Sequence, residues 1–343
     1  MKHSPITQRI GYFPEQPPAP QPPKKPRTDW LRLAALGVCI CVFLLCFFLL
    51  IRYTYNILIS RSASNQLEEV YASAQQQIQE TMPAAELPAI SPTAAPTAAV
   101  TPVREARVAA PAVTAAPSAA ELWPSDYPNN PLRRVSPVFY QLQAQNRDII
   151  GWLKIDDILE EPVVQRDNTY YLTHNSLKQK SVTGALFLDE ICDLEAVPTQ
   201  MIIHGHNMKE GAMFGALKKY KVKDAGYFRA HPFIDFNTIY ENARYVIFAV
   251  AEVDIRAGKP DYLAFWHHSR FASAAAFTEY VQRAKLLSHY RCNVDVQPGD
   301  RLLTLSTCTG TDDNKRLIVM ARMLREGENE LELNMDIYST TDR

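Results

Sequence analysis

A cysteine, an arginine and a histidine at the ends of apolar runs carry the chemistry open to this sequence. Arg301–Cys308 reads Arg-Leu-Leu-Thr-Leu-Ser-Thr-Cys, an apolar and β-branched run that stops on a thiol. Arg316 opens the next such run, Arg-Leu-Ile-Val-Met-Ala-Arg322. Between them Thr309–Lys315 holds Gly310, Asp312, Asp313 and Asn314, all turn formers. The two runs predict an antiparallel hairpin with Cys308 and Arg316 at its mouth. Arg322 shares the face of Arg316 by period-two alternation but lies about 20 Å down the strand, too far to serve Cys308.

A cysteine nucleophile needs a thiolate and a proton carrier, and it gains from a fixed positive group where an oxyanion develops. Arg316 suits the last role, because guanidinium stays charged and donates several hydrogen bonds. The proton carrier must come from elsewhere. His206, in Met201-Ile-Ile-His-Gly-His-Asn207, follows an apolar run and a glycine at a strand-to-loop edge. His204, His174 and His231 are weaker candidates. Each feature alone has a plain structural explanation. A strand-end cysteine is more often a small buried hydrophobe, and a strand-start arginine is usually solvated. His204-x-His206 could be half of a zinc site, but no third ligand has suitable spacing, so no metal or other cofactor is expected.

The elements that must position these groups are mostly strands. Trp152–Ile155, Pro162–Gln165, Ala185–Leu188, Met201–His204, Tyr245–Val253, Arg301–Thr307 and Leu317–Met323 are rich in Val, Ile and aromatics between polar turns. Ser136-Pro137 reads as a helix start running to about Gln145. Further short helices are predicted at Ala212–Lys219 and Phe271–Leu287. Many short strands with few helices argue for a mainly β barrel or sandwich. No internal repeat or phosphate-cradling glycine loop is visible among only 12 glycines.

The formal charge of -1 over 343 residues argues against a dedicated nucleic-acid binder. Residues 33–51 carry no charge, and nineteen helical residues rise about 28 Å, close to a bilayer's hydrocarbon thickness. Lys2, Arg9, Lys24, Lys25, Arg27 and Arg32 precede this run, whereas only Arg52 and Arg61 follow nearby. The positive-inside rule therefore puts the N-terminus in the cytoplasm and residues beyond about 52 outside the cell membrane, as a single-pass signal-anchor. Leu67, Val70, Tyr71, Ala74 and Ile78 have helical spacing, yet a solvated spacer is the preferred reading of 57–81. Residues 83–121 are Ala, Pro and Thr, which suits a semi-rigid stalk. The expected organisation is a Pro-rich tail over 1–30, a span over 31–52, a spacer and stalk over 53–122, and one catalytic domain over 123–343. Cys192, Cys292 and Cys308 are an odd number outside the span, so at least one thiol is free within the chain. A disulfide between Cys192 and Cys292 is left open.

Together the motifs resemble a known family. Thr304-Leu-Ser-Thr-Cys308 is similar to the TLxTC signature of sortases, in its class B form. Ile203-His-Gly-His-Asn-Met208 with Met213-Phe-Gly-Ala-Leu217 resembles the class B stretch around the histidine. Gly151-Trp-Leu-Lys-Ile155, Pro162-Val-Val-Gln165 and Tyr170-Tyr-Leu-Thr-His-Asn175 resemble that class's opening strands. The likeness covers about residues 136–325. It implies an eight-stranded sortase β-barrel and a Cys–His–Arg site mapping onto Cys308, His206 and Arg316. It implies cleavage of a sorting signal on surface proteins, a thioacyl-enzyme, and transfer to an amine of a peptidoglycan precursor or a pilin lysine. His204 stands where class B often has Tyr, near the substrate groove, and Ser306 and Thr307 are further candidate substrate contacts. The alternatives are an L,D-transpeptidase-like or papain-like cysteine peptidase, or a non-catalytic stalked surface-binding module. The first lacks its Ser-His-Gly-Cys run here. The second wants a helix N-terminus under its cysteine, whereas Cys308 ends a strand.

Overall fold

The computed structural model describes residues 30–81, 123–209, 211–221, 224–310 and 312–342. The expected Pro-rich tail, apart from Trp30, and the Ala/Pro-rich stretch from 82 to 122 lie outside these residues. The described residues divide into two units between Ile51 and Arg52. In the first, helix α1 (Trp30–Thr81) begins with a long run of exposed apolar side chains. Among the described residues α1 is the one helix long and apolar enough, by length and composition, to cross a membrane.

The second unit is built on ten strands: β1 (Ile149–Ile155), β2 (Leu159–Val164), β3 (Leu186–Leu188), β4 (Gln200–His204), β5 (Phe233–Thr238), β6 (Asn242–Asp254), β7 (Tyr290–Arg291), β8 (Leu302–Cys308), β9 (Lys315–Met323) and β10 (Thr341–Asp342). Eight close into the expected barrel in the order β1-β2-β3-β4-β8-β9-β6-β5, while β7 and β10 pair separately. The β2–β3 and β4–β8 contacts are parallel and the other barrel pairs antiparallel. Strands β6, β8 and β9 are buried on both faces, which explains their unbroken apolar runs. Strand β5 is absent from the sequence reading. It buries only Ile234, Phe236 and Thr238, with Asp235 and Asn237 on its other face, so its signal is a short polar alternation.

Helix α2 (Pro137–Gln145) has the expected bounds, with Pro in its first turn. The helix expected from Phe271 begins later, as α4 (Ala274–Leu287), because the Ser273 hydroxyl accepts from Ala276 N and caps it. The 212–219 expectation is met by a 3-10 turn at Phe214–Lys221. Two short helices, α3 (Ala225–Ala230) and α5 (Glu330–Tyr338), complete the unit.

Residues 57–81 differ from the expected solvated spacer. They are the second part of α1, and Ala63, Leu67, Tyr71 and Ala74 are buried. The Tyr71 ring stacks on Trp152 with centroids 4.3 Å apart. Its hydroxyl accepts from Asn237 Nδ2 at 3.0 Å, and Ser64 Oγ donates to Glu161 Oε2 at 2.7 Å. The apolar stripe is narrow and half of it is alanine, so its partner surface, Trp152 above all, makes it a packed face.

Candidate active site

Strand β8 buries its first six residues and exposes only Cys308, its last. Across the ladder Cys308 faces Arg316, which lies at the start of β9. On the other side β4 runs parallel to β8 with His204 beside Ser306. The chain leaving β4 is stitched to the end of β8. Gly205 N donates to Ser306 O at 3.2 Å, Thr307 Oγ1 donates to Gly205 O at 2.7 Å, and Asn207 Nδ2 donates to Cys308 O at 2.8 Å. A β-carbon at residue 205 would stand 2.4 Å from Leu186 Cδ2 and 2.8 Å from Phe214 Cδ2, so glycine fits here without displacing those side chains. This stitching carries His206 to the mouth of the hairpin.

The imidazole of His206 is oriented by the backbone. Its Nε2 lies 2.8 Å from Leu172 O. A carbonyl only accepts, so the hydrogen sits on Nε2, and Nδ1 is left to exchange a proton. Arg316 is held from its own loop, with Nη1 donating to Asp313 O at 2.7 Å and Lys315 O at 3.1 Å. His206, Cys308 and Arg316 line one cleft of about 400 Å³ together with His204, Ser306 and Thr307. Leu172, Phe187, Ile255, Phe265 and Trp266 give it apolar walls. All six site residues read from the sequence therefore meet in one place. An exposed thiol, an imidazole and a guanidinium in one cleft are the groups that thiol-based acyl transfer calls for.

Comparison with known proteins agrees. The model of the sortase domain family matches residues 153–324, half of the chain. Sortase B of Listeria monocytogenes is 36% identical over 187 residues, which span 53% of this chain and 72% of that protein. The chain belongs to the sortase family, in class B. Sortase B of Staphylococcus aureus is 26% identical over 195 residues, 56% of this chain and 76% of that one. The crystal structure of sortase B from B. anthracis superposes with a TM-score of 0.50 at 30% identity, covering 56% of this chain and 85% of that one. The Staphylococcus aureus sortase B–substrate complex shares the fold, with a TM-score of 0.50 at 24% identity over 57% of this chain and 88% of that one.

Several partners of this sortase site were not apparent in the sequence. His204 Nε2 lies 2.8 Å from Asp189 Oδ2, and Asp189 is buried just past β3. Burial acts to raise the Asp189 pKa. Hydrogen bonds from His204, Ile191 N and Asn168 Nδ2 outweigh it and hold the carboxyl below its ordinary value. The Ser306 hydroxyl is buried and finds no hydrogen-bond partner among the described residues, whereas that of Thr307 is engaged by Gly205. Asp189, Asn168 and Leu172 come from segments between strands, Leu172 from a 3-10 turn at Tyr170–Leu172, whose proximity only the barrel creates. His174 stacks on Tyr170 with centroids 4.1 Å apart, and His231 bonds Asp156 O at 3.1 Å; neither lines the cleft. Cys192 and Cys292 are free thiols, which closes the question of a disulfide between them. Among the described residues no group of His, Cys, Asp and Glu could hold a metal ion.

Proposed function

We propose that this sortase is a cysteine transpeptidase that cleaves a C-terminal sorting signal on surface proteins at Cys308. The observation that carries the reading is the single cleft lined by the exposed Cys308, its cross-strand partner Arg316 and His206. His206 takes the Cys308 thiol proton as the sulfur attacks the scissile carbonyl carbon, a C–S bond forms, and the oxyanion is met by the Arg316 guanidinium. The C–N bond then breaks while His206 gives its proton to the leaving amine. An incoming amine attacks the thioester as His206 takes its proton, the new C–N bond forms, the C–S bond breaks, and His206 returns the proton to the leaving sulfur to restore the thiol. The acceptor class is an amine of a peptidoglycan precursor or a pilin lysine. Water in its place makes the enzyme a thiol hydrolase. A protein of the same fold, Staphylococcus aureus sortase B, has been solved as a complex with its substrate.

The apolar opening of α1 serves as a single-pass anchor, with the N-terminus cytoplasmic and the catalytic unit that follows the apolar run outside a Gram-positive cell. The excess of Lys and Arg before the run supports that orientation. Incubating the protein with a library of sorting-signal peptides and an amine, with mass spectrometry as readout, tests the activity. Cys308→Ala should abolish the thioacyl intermediate, and His206→Ala should leave a folded protein with almost no turnover. Near-normal turnover in a folded His206→Ala enzyme would refute its role.

A further inference from the structure

We infer that Ser60 of helix α1 is a positioning residue for His206, acting through the Ser181–Thr183 hydroxyl pair and the Gly184 backbone. The inference rests on the reading of His206 as the proton carrier. Ser60 Oγ hydrogen-bonds Ser181 Oγ. Ser181 Oγ in turn bonds Thr183 Oγ1 at 2.8 Å and accepts from Thr183 N at 3.1 Å. All three residues are buried. A buried hydroxyl that loses its partner is costly, so such a chain locks its members to one another.

The next residue, Gly184, has a φ of +59°. A β-carbon there would stand 2.4 Å from Tyr171 O, 3.2 Å from Leu172 O and 3.1 Å from His206 Cδ2. The Gly184 backbone is thus pressed against the two groups whose 2.8 Å hydrogen bond orients the imidazole, Leu172 O and His206. Ser181 N donates to Thr173 O at 2.9 Å and Ala185 N to Tyr171 O at 3.0 Å. Residues 181–185 therefore grip 171–173 at both ends, with the Leu172 carbonyl between. A shift at Ser181 must move that carbonyl, and a reacting group held by one backbone contact tolerates only a few tenths of an ångström. Elsewhere α1 is held by Tyr71 on Trp152 and by Ser64 on Glu161. Losing the Ser60 hydroxyl alone therefore leaves the helix docked and loosens only the segment behind His206.

The test uses the full chain and a library peptide that the wild type cleaves. Ser60→Ala should lower kcat about 3- to 10-fold with KM unchanged, the scale of one lost buried hydrogen bond. Ser60→Thr, which keeps the hydroxyl, should recover the rate. Ser64→Ala removes a neighbouring α1 contact that does not lead to His206 and should leave kcat at the wild-type level. A Ser60→Ala enzyme with unchanged kcat, or a Ser64→Ala enzyme slowed as much, overturns the inference. The second readout is the pH profile of Cys308 alkylation by iodoacetamide, followed by mass spectrometry of its peptide. Ser60→Ala should displace that profile and Ser64→Ala should not. An inert peptide library with a displaced alkylation profile would sink the transpeptidase reading alone. An undisplaced profile would sink the role of Ser60.

Discussion

Cys308 and Arg316 form the last pair of the β8–β9 ladder, in direct register at the lip of the cleft. Arg322, on the same strand, pairs instead with Leu302 at the ladder's far end. The two arginines should therefore fail in different ways. Arg316→Ala removes a donor that matters most as the oxyanion forms, so kcat should fall about 10²–10³-fold with little change in stability. Arg322 is buried, and its guanidinium bonds both Glu328 oxygens at 2.5 and 2.7 Å and Asp295 O at 2.6 Å. Arg322→Ala strands Glu328 and should cost about 3–5 kcal/mol of stability in urea denaturation. Equal and mild kinetic effects from both would contradict the assignment.

The three thiols beyond the apolar run should differ sharply in reactivity. Burial pushes the Cys192 thiol up to about 12 and also raises that of Cys292. The thiolate is the reacting form, so both should resist iodoacetamide at pH 7.5, while the exposed Cys308 is labelled. Peptide mapping by mass spectrometry reads this directly. Cys192→Ala and Cys292→Ala enzymes should keep their turnover, and labelling of Cys192 as fast as Cys308 would refute the contrast.

Why the barrel and the cleft were legible, and the packed second part of α1 was not, follows from what each signal needs. Strands β6, β8 and β9 are buried on both faces and announce themselves as apolar runs. Their turn residues give the hairpin that sets Cys308 against Arg316, a local inference. His206 follows from a short local pattern too, because Gly205 and His206 directly continue β4. Asp189, Asn168 and Leu172 are distant in sequence from the groups they hold, and nothing in their own segments marks them. Residues 57–81 have a helical period, but whether Leu67 and Tyr71 are buried depends on Trp152, 81 residues away from Tyr71. Strand β5 fails for the opposite reason, since its outward Asp235 and Asn237 dilute three inward residues.

The α1 interface should weaken as pH rises. Burial against α1 pushes the half-buried Glu161 carboxyl up to about 7; the Ser64 hydrogen bond opposes this and Glu68 adds to it. The folded state therefore holds a proton that the unfolded chain releases near the ordinary value of 4.5. Stabilisation from that proton is complete below about pH 4.5 and is lost as pH climbs through about 7. Between pH 5 and 8 the wild type should lose roughly 2–3 kcal/mol relative to Glu161→Gln, which carries no titrating group. Paired urea melts at the two pH values measure this, and parallel stability curves for the two proteins would refute it.

The Asp189–His204 pair predicts a defect in binding rather than in chemistry. Asp189 is buried, and its hydrogen bonds keep it ionised at neutral pH. It accepts from His204 Nε2 at 2.8 Å, which fixes the ring on the cleft wall beside Ser306 and leaves Nδ1 as the polar atom available to substrate. Asp189→Asn keeps the shape but replaces a charged acceptor with a neutral amide that can turn a donor toward the ring. His204 should then lose its single orientation. His204 lines the cleft beside Ser306, while the proposed proton carrier is His206. KM for a cleaved peptide should therefore rise about 3- to 10-fold, the scale of one weakened charge-assisted hydrogen bond, while kcat changes little. His206→Ala provides the contrast, because it removes turnover whatever the peptide concentration. Should Asp189→Asn instead collapse kcat to the level of His206→Ala with KM intact, His204 would be the proton carrier, and the roles of the two histidines would have to be exchanged.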